Sequence, residues 1–173
     1  FDDFNPENRR NFCWSLREIS KPTLIVANKV DLPVATENFR RLREEYKDSI
    51  IVPTSADAEL TLRRAQARGL IKYLPGDERF EMTNQSSLND KQKWALNFIR
   101  KDVLNEYMRT GVQFAINVAV FKLLRMNTVY PVADPAKMSD RSGNVLPDVY
   151  LMKSGSTVKD LAEDIHTDLA KGL

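Results

Sequence analysis

One cysteine and one histidine stand in 173 residues. Cys13 alone excludes an intrachain disulfide framework and suits a reducing cytoplasm. His166 alone leaves nothing from which to build a histidine metal cluster or a Cys–His dyad. Long hydrophobic runs are also missing. The longest, Val112 to Phe121, is broken by Gln113 and Asn117 and falls short of the ~20 residues that a membrane span needs, so no membrane partner is expected. No signal peptide, internal repeat or low-complexity tract is visible. The net charge of +2 provides no global field for nucleic acid or membrane. Charge is uneven along the chain, however, with Lys and Arg in excess only over residues 62–127.

The sequence contains alternating strand and helix patterns. Residues 7–19 predict a helix, closed by Pro22. The run "TLIVA" (23–27) is short, apolar and β-branched, as expected of a strand buried on both faces in a parallel sheet. Residues 36–48 predict a helix that Thr36 can cap, with Phe39, Leu42 and Tyr46 on one stripe. A second strand at 49–56 is followed by a helix over 57–68 that stops at Gly69. Together these segments make a βαβα unit with parallel strands. Beyond a polar loop (74–87) the pattern predicts a long helix over 89–109, with Trp94, Phe98, Val103 and Tyr107 on its apolar face. A second helix over 112–125 is apolar nearly all round and therefore expected to be buried. The remainder reads as strand (128–132), turn, strand (147–152) and a helix over 157–169 capped by Ser156 or Thr157.

Two polar clusters fall at the carboxyl ends of the parallel strands, the edge where open α/β sheets bind ligands. The first is Asn28, Lys29 and Asp31, and the second is Thr54, Ser55 and Ala56. An ionised Asp31 offers two acceptors to adjacent N–H donors, the pattern on the N1–H and N2–H₂ edge of guanine. Adenine would leave that carboxylate desolvated and unpaired, a difference that a site of this kind converts into ~10⁴-fold selectivity. Asn28 can donate to a ring acceptor, and Lys29 can lay its aliphatic stem over the base. The plainer reading is an Asx turn for Asn28 and Asp31 and a helix cap for Ser55.

These residues resemble the N-K-x-D base-specificity motif of P-loop GTPases and its companion Ser-Ala motif. The resemblance implies guanine-base binding by Asn28, Lys29, Asp31, Ser55 and Ala56, with backbone N–H groups of the Ser-Ala pair meeting the guanine carbonyl oxygen. No phosphate-binding G-x-x-x-x-G-K-S/T occurs in the chain. "DRSG" (140–143) matches a γ-phosphate sensor only in letters, because it follows the base motifs where the family places it before them. No catalytic residue is therefore assigned here. Beginning at Phe1 rather than Met, the chain reads as a piece of a longer protein, with GTP/GDP as its ligand and Mg²⁺ expected only in the intact parent.

Further on, Leu146-Pro147-Asp148-Val149, Gly155-Ser156-Thr157, Lys159-Asp160-Leu161-Ala162 and Ile165-His166-x-Asp168-Leu169 resemble the opening of a TGS domain, a small β-grasp module. A GTPase domain feeding a TGS domain is the arrangement of Obg-related GTPases, and the intervening text looks most like archaeal YchF-like proteins. The expected architecture is α/β: the C-terminal part of a P-loop GTPase domain (1–80), a helical segment (81–127) and a partial α+β TGS domain (128–173). The resemblance implies a cytoplasmic GTPase acting on the ribosome or RNA. Arg63, Arg64, Arg68 and Lys72, with no acidic residue between 60 and 76, form a candidate RNA contact, or else an ordinary solvated face. The alternatives are an RNA- or protein-binding TGS module with a vestigial nucleotide site, and an ATP-using Obg-like ATPase. Oligomeric state is not readable.

Overall fold

The structure, a computed structural model, describes residues 5–83 and 88–172. The chain divides into two compact units, one reaching Ala119 and the other starting at Val120.

The first unit opens with helix α1 (Pro6–Ser20), whose N-cap Asn5 accepts from the Asn8 N–H and whose Pro6 costs no hydrogen bond in the first turn. Strand β1 (Leu24–Asn28) pairs in parallel with β2 (Ile50–Thr54), Leu24 opposite Ile50 and Asn28 opposite Thr54. Helix α2 (Ala35–Glu45) makes the crossover between them. Helix α3 (Ala56–Ala67) follows β2, capped by the Ser55 hydroxyl accepting from the Ala58 N–H. It ends at Gly69, φ +69°, where the Leu70 N–H bonds Ala65 C=O and the Gly69 N–H bonds Gln66 C=O. These are the paired bonds of a Schellman ending.

Short strands β3 (Ile71–Lys72), just before the expected loop, and β4 (Glu81–Met82), within it, pair antiparallel. Positions 84–87 of that loop lie outside the described residues. Helix α4 (Asp90–Phe98) starts in a capping box between Asn89 and Gln92. It runs on through a π-helical stretch, Ile99–Leu104, into α5 (Asn105–Tyr107). The main core lies between α3 and this long helix, with Ala58, Leu62, Ala65, Ile71, Tyr73, Phe80, Leu96, Ile99 and Val103 buried together. Helix α6 (Val112–Asn117) continues as a π-helical stretch, Val118–Leu123.

Several expectations are corrected. Thr36 does not cap α2. The N-cap is Val34, with no side-chain bond, and the Thr36 hydroxyl instead meets the Tyr107 hydroxyl at 3.1 Å. Strand β1 is not buried on both faces, and Val26 is 46% exposed. The two-stranded sheet packs Leu24, Ile50 and Val52 against Ala115 and Val118 and covers little more. For the same reason the helix after Gly111 is not buried all round: Ala115 and Val118 are buried, while Ile116 and Phe121 are exposed. Trp94 leaves the apolar face of its helix and is 68% exposed, its ring stacked on Phe98 at 5.4 Å.

In the second unit, β5 (Met126–Val129) pairs antiparallel with β6 (Tyr150–Lys153), Val129 opposite Tyr150. Between them Asp140 accepts from the backbone N–H groups of Ser142 and Asn144 and from Asn144 Nδ2. "DRSG" is therefore an Asx-type turn. The predicted helix over 157–169 is two helices, α7 (Val158–Ile165) and α8 (Thr167–Lys171). Thr157 caps α7 in a reciprocal box with Asp160. At His166 the backbone is extended, and the imidazole Nδ1 accepts from the Asp168 N–H at 3.2 Å. The histidine is a local cap.

Candidate functional site

Parallel pairing and the α2 crossover bring both polar clusters to one sheet edge. The ladder ends at Asn28 and Thr54, and one further bond, from the Val30 N–H to Thr54 C=O at 3.2 Å, carries the pairing into the following turn. There Lys29 adopts φ +71°, a left-handed conformation that L side chains other than Asn and Asp adopt rarely. The Leu32 N–H closes the turn onto Lys29 C=O at 3.1 Å. Such local strain persists only where its surroundings enforce it.

Asn28 Oδ1 accepts from the Ala56 N–H at 3.1 Å, which ties the first cluster to the second. The turn separates two hollows. Asn28 and Lys29 line one of about 370 Å³ together with Val34, Asn38 and Phe39 of the α2 side. Asp31, half-buried, lines another of about 220 Å³ with Ser55, Asp57, Thr61, Trp94 and Phe98. Lys29 and Asp31, two residues apart, thus line different hollows. Ser55 is fully buried, with its N–H on Thr110 C=O at 2.8 Å and its hydroxyl on the α3 cap.

Beneath the loop lies a charged group that sequence reading passed over. Glu59, in the first turn of α3, is only 4% exposed. Its Oε2 accepts from Thr110 Oγ1 at 2.6 Å and from the Tyr73 hydroxyl at 2.7 Å, and its Oε1 accepts from Arg63 Nε. Burial pushes this carboxyl upward, but the bonds from Thr110, Arg63 and Tyr73 together hold it below the ordinary range. The Tyr73 phenol is pushed up to about 12, first by burial and then by donating to Glu59. Gly111, φ +86°, lies against the end of β2 so closely that a Cβ there would sit 2.0 Å from Pro53 C=O. A signal did exist. Ala58, Leu62 and Ala65 form the inward stripe of α3, and Glu59 lies on its edge.

The four candidate RNA-contact residues do not share one surface, although two of them do. Arg63 is engaged by Glu59. Arg64 and Arg68 share a cavity of about 280 Å³ with Lys91, Thr61 and Gln92. Lys72 lines a separate, larger hollow that also carries Asp77, Glu78 and Glu81. Among the described residues, no group of three or more His, Cys, Asp or Glu side chains is placed to hold a metal ion, and no helix is long and apolar enough to cross a membrane.

A parallel βαβα unit with polar turns gathered at one sheet edge is a ligand-binding edge of the open α/β class. Residues 26–134 match the family model described as Obg-like GTPase YGR210-like, G4 motif-containing domain. The chain belongs to this family of Obg-like GTPase domains. It is 49% identical over 165 residues to the uncharacterized GTP-binding protein MJ1332 of Methanocaldococcus jannaschii, covering 95% of this chain and 41% of that protein. The uncharacterized GTP-binding protein C428.15 of Schizosaccharomyces pombe is 28% identical over 153 residues, covering 84% of this chain and 37% of the other. A crystal structure of a GTP-binding protein from Pyrococcus horikoshii OT3 superimposes with a TM-score of 0.64 at 42% identity, over 93% of this chain and 40% of that one. The chain thus spans about two-fifths of the length of these relatives.

Proposed function

We propose that this chain supplies the guanine-selecting side of a GTPase, binding the base of GTP or GDP. The observation that carries the reading is the Asn28–Ala56 hydrogen bond, which fixes the two base motifs to one another at the carboxyl ends of β1 and β2. In this reading Asp31 accepts from guanine N1–H and N2–H₂, the Lys29 stem covers the ring, and Asn28 Nδ2 donates to a ring acceptor while its Oδ1 holds the loop. The Ala56 N–H already has a partner in Asn28. Contact with the guanine carbonyl therefore requires a shared donor or a turn of the Asn28 amide. Phosphate and Mg²⁺ contacts, and hence hydrolysis, belong to other parts of the parent protein, since this chain has no phosphate-binding loop.

The test is nucleotide competition on the full-length protein. GDP should displace a labelled guanine nucleotide and ADP should not. Equal competition by ADP would sink the Asp31 argument in favour of an ATP-using enzyme. Asp31→Asn should move preference toward xanthine nucleotides, because the amide reverses one donor–acceptor relation. Unchanged GDP affinity in that variant would remove Asp31 from the base site.

The wider reading places the parent protein in the cytoplasm, acting on the ribosome or RNA. It takes residues 128–173 as the start of a TGS module and the closer kinship as YchF-like. What favours the TGS reading is the motif text of residues 146–166, with a strand pair followed by a capped helix at those positions. For RNA, the favouring observation is the cavity where Arg64, Arg68 and Lys91 converge with no acidic residue lining it.

A further inference from the structure

Two chain segments separated by more than fifty residues close on each other at the base site. One is the first turn of α3, which begins with Ser55 and Ala56. The other is Thr110–Gly111, the break between α5 and α6. They join twice: the Ser55 N–H donates to Thr110 C=O at 2.8 Å, and Thr110 Oγ1 donates to Glu59 Oε2 at 2.6 Å. Both Thr110 and Ser55 are fully buried. Gly111 makes the approach possible, since any Cβ there would meet Pro53 C=O at 2.0 Å and the Thr54 backbone at 2.9 Å. The carboxylate in the middle is fully engaged, with Tyr73 on Oε2 and Arg63 on Oε1.

Burying a carboxylate is unfavourable unless its lone pairs are met. A domain that needed only packing here would place a Leu or Met at position 59, beside Leu62. Helix α3 carries an ionised group instead, with donors arriving from α3 itself, from residue 73 and from residue 110. The group's position determines what it fixes. Four and three residues before it stand Ser55 and Ala56, whose backbone must be held to a few tenths of an ångström to direct one N–H at a small target.

We infer that Glu59 and Thr110 are positioning residues for guanine recognition: together they clasp the Ser55–Ala56 turn so that the Ala56 N–H, now bonded by Asn28 Oδ1, is fixed where the guanine carbonyl oxygen would share it or take the place of that amide. The inference rests on the guanine reading above and adds to it the residues that set specificity at the sixth position of the purine. Neither side chain touches the base. They act through the Ser55–Thr110 bond, with Asn28 holding the turn from the opposite side.

The test compares GDP with 6-thio-GDP, which keeps the N1–H and N2–H₂ edge read by Asp31 but replaces the carbonyl oxygen with a larger, weaker acceptor. Both are titrated calorimetrically into the full-length protein and its Thr110→Val, Thr110→Ser, Glu59→Gln and Tyr73→Phe variants. Thr110→Val removes the hydroxyl while conserving volume and leaving the backbone carbonyl. We expect it to weaken GDP binding about 10-fold and 6-thio-GDP binding much less, so that discrimination between them shrinks. Thr110→Ser, which retains the hydroxyl, should restore discrimination. Should Glu59→Gln fail to fold, Thr110→Val and Tyr73→Phe carry the test, the latter expected to give a smaller loss of the same kind. Equal weakening of both nucleotides in Thr110→Val would mean a purely structural role and overturn the inference, as would unchanged discrimination. If the wild type does not bind GDP at all, the guanine reading fails first and the inference falls with it, an outcome distinct from normal wild-type binding with insensitive variants.

Discussion

Asn28 Oδ1 accepts a hydrogen bond from the Ala56 backbone N–H at 3.1 Å, across 28 residues of chain. The bond joins the ends of two adjacent parallel strands, so the side chain of one motif is a structural part of the other. Its two functional groups are separable. Asn28→Asp keeps an acceptor for Ala56 but loses the Nδ2 donor, while Asn28→Ala loses both. The alanine variant should be less stable by about 1 kcal/mol, the net value of one such bond. The aspartate variant should keep the wild-type melting temperature, and both should lose GDP affinity. Thermal melts alongside nucleotide titrations separate the two effects, and a stable alanine variant would remove the bond from the fold's supports.

Gly111 lies hard against the end of β2. Gly111→Ala would place a methyl group 2.0 Å from Pro53 C=O while holding the residue at φ +86°. Overpacking and a left-handed β-carbon together should cost about 3 kcal/mol or more. Chemical denaturation would register this as an earlier midpoint with little change in slope. A loss below 1 kcal/mol would mean that residues 108–111 can shift away from β2.

Glu59 and Tyr73 give opposite pH signatures. The Glu59 carboxyl lies below its ordinary 4.5 in the folded protein, so its contribution is complete above that value and fades as pH falls through the folded pKa. Glu59→Gln should be less stable at neutral pH, with the gap to wild type narrowing under acid. The Tyr73 phenol is raised from 10.0 to about 12, so its contribution holds below pH 10 and is lost as pH rises through about 12. Ultraviolet titration of the full-length protein should show a late-ionising phenol that Tyr73→Phe removes. A late phase surviving that substitution would place the raised phenol elsewhere.

Arg64 and Arg68 share a cavity with Lys91, whereas Arg63 is held by Glu59 and Lys72 faces acidic neighbours. If RNA phosphates bind along α3, the pair Arg64→Gln and Arg68→Gln should flatten the salt dependence of RNA binding by about two counterions. Lys72→Gln should leave it nearly unchanged. Filter binding at several salt concentrations reads both slopes, and identical slopes throughout would turn the groove into an ordinary solvated surface.

The reciprocal bonds between Thr157 and Asp160 predict a cap of ordinary strength. Thr157→Ala should cost about 1 kcal/mol, and Thr157→Ser only a few tenths. Hydrogen exchange at the first turn of α7 would locate the loss, and uniform protection in both variants would deny the cap a role.

Much of the site was legible in the residues. An apolar β-branched run, a crossover helix and a second such run determine that Asn28 and Thr54 emerge side by side, because a crossover between parallel strands brings their carboxyl ends to one edge. The ends at Gly69 and Thr157 were legible because they act through bonds spanning only a few residues, whereas Thr36, expected to cap α2, meets Tyr107 instead. The miscast elements were those whose burial depends on what lies opposite. Trp94 and Ile116 fit an apolar stripe, yet the surface facing them is too narrow to cover them.

The sequence by itself determined which residues stand at the edge, since the placing of Asn28, Lys29, Asp31, Ser55 and Ala56 follows from local backbone and strand order. Only the tertiary structure decided how that edge is held. A carboxylate on an amphipathic helix looks the same whether it faces water or the hydroxyls of Thr110 and Tyr73. Those partners lie 51 and 14 residues away, and no local period encodes which side chains a folded chain will bring together.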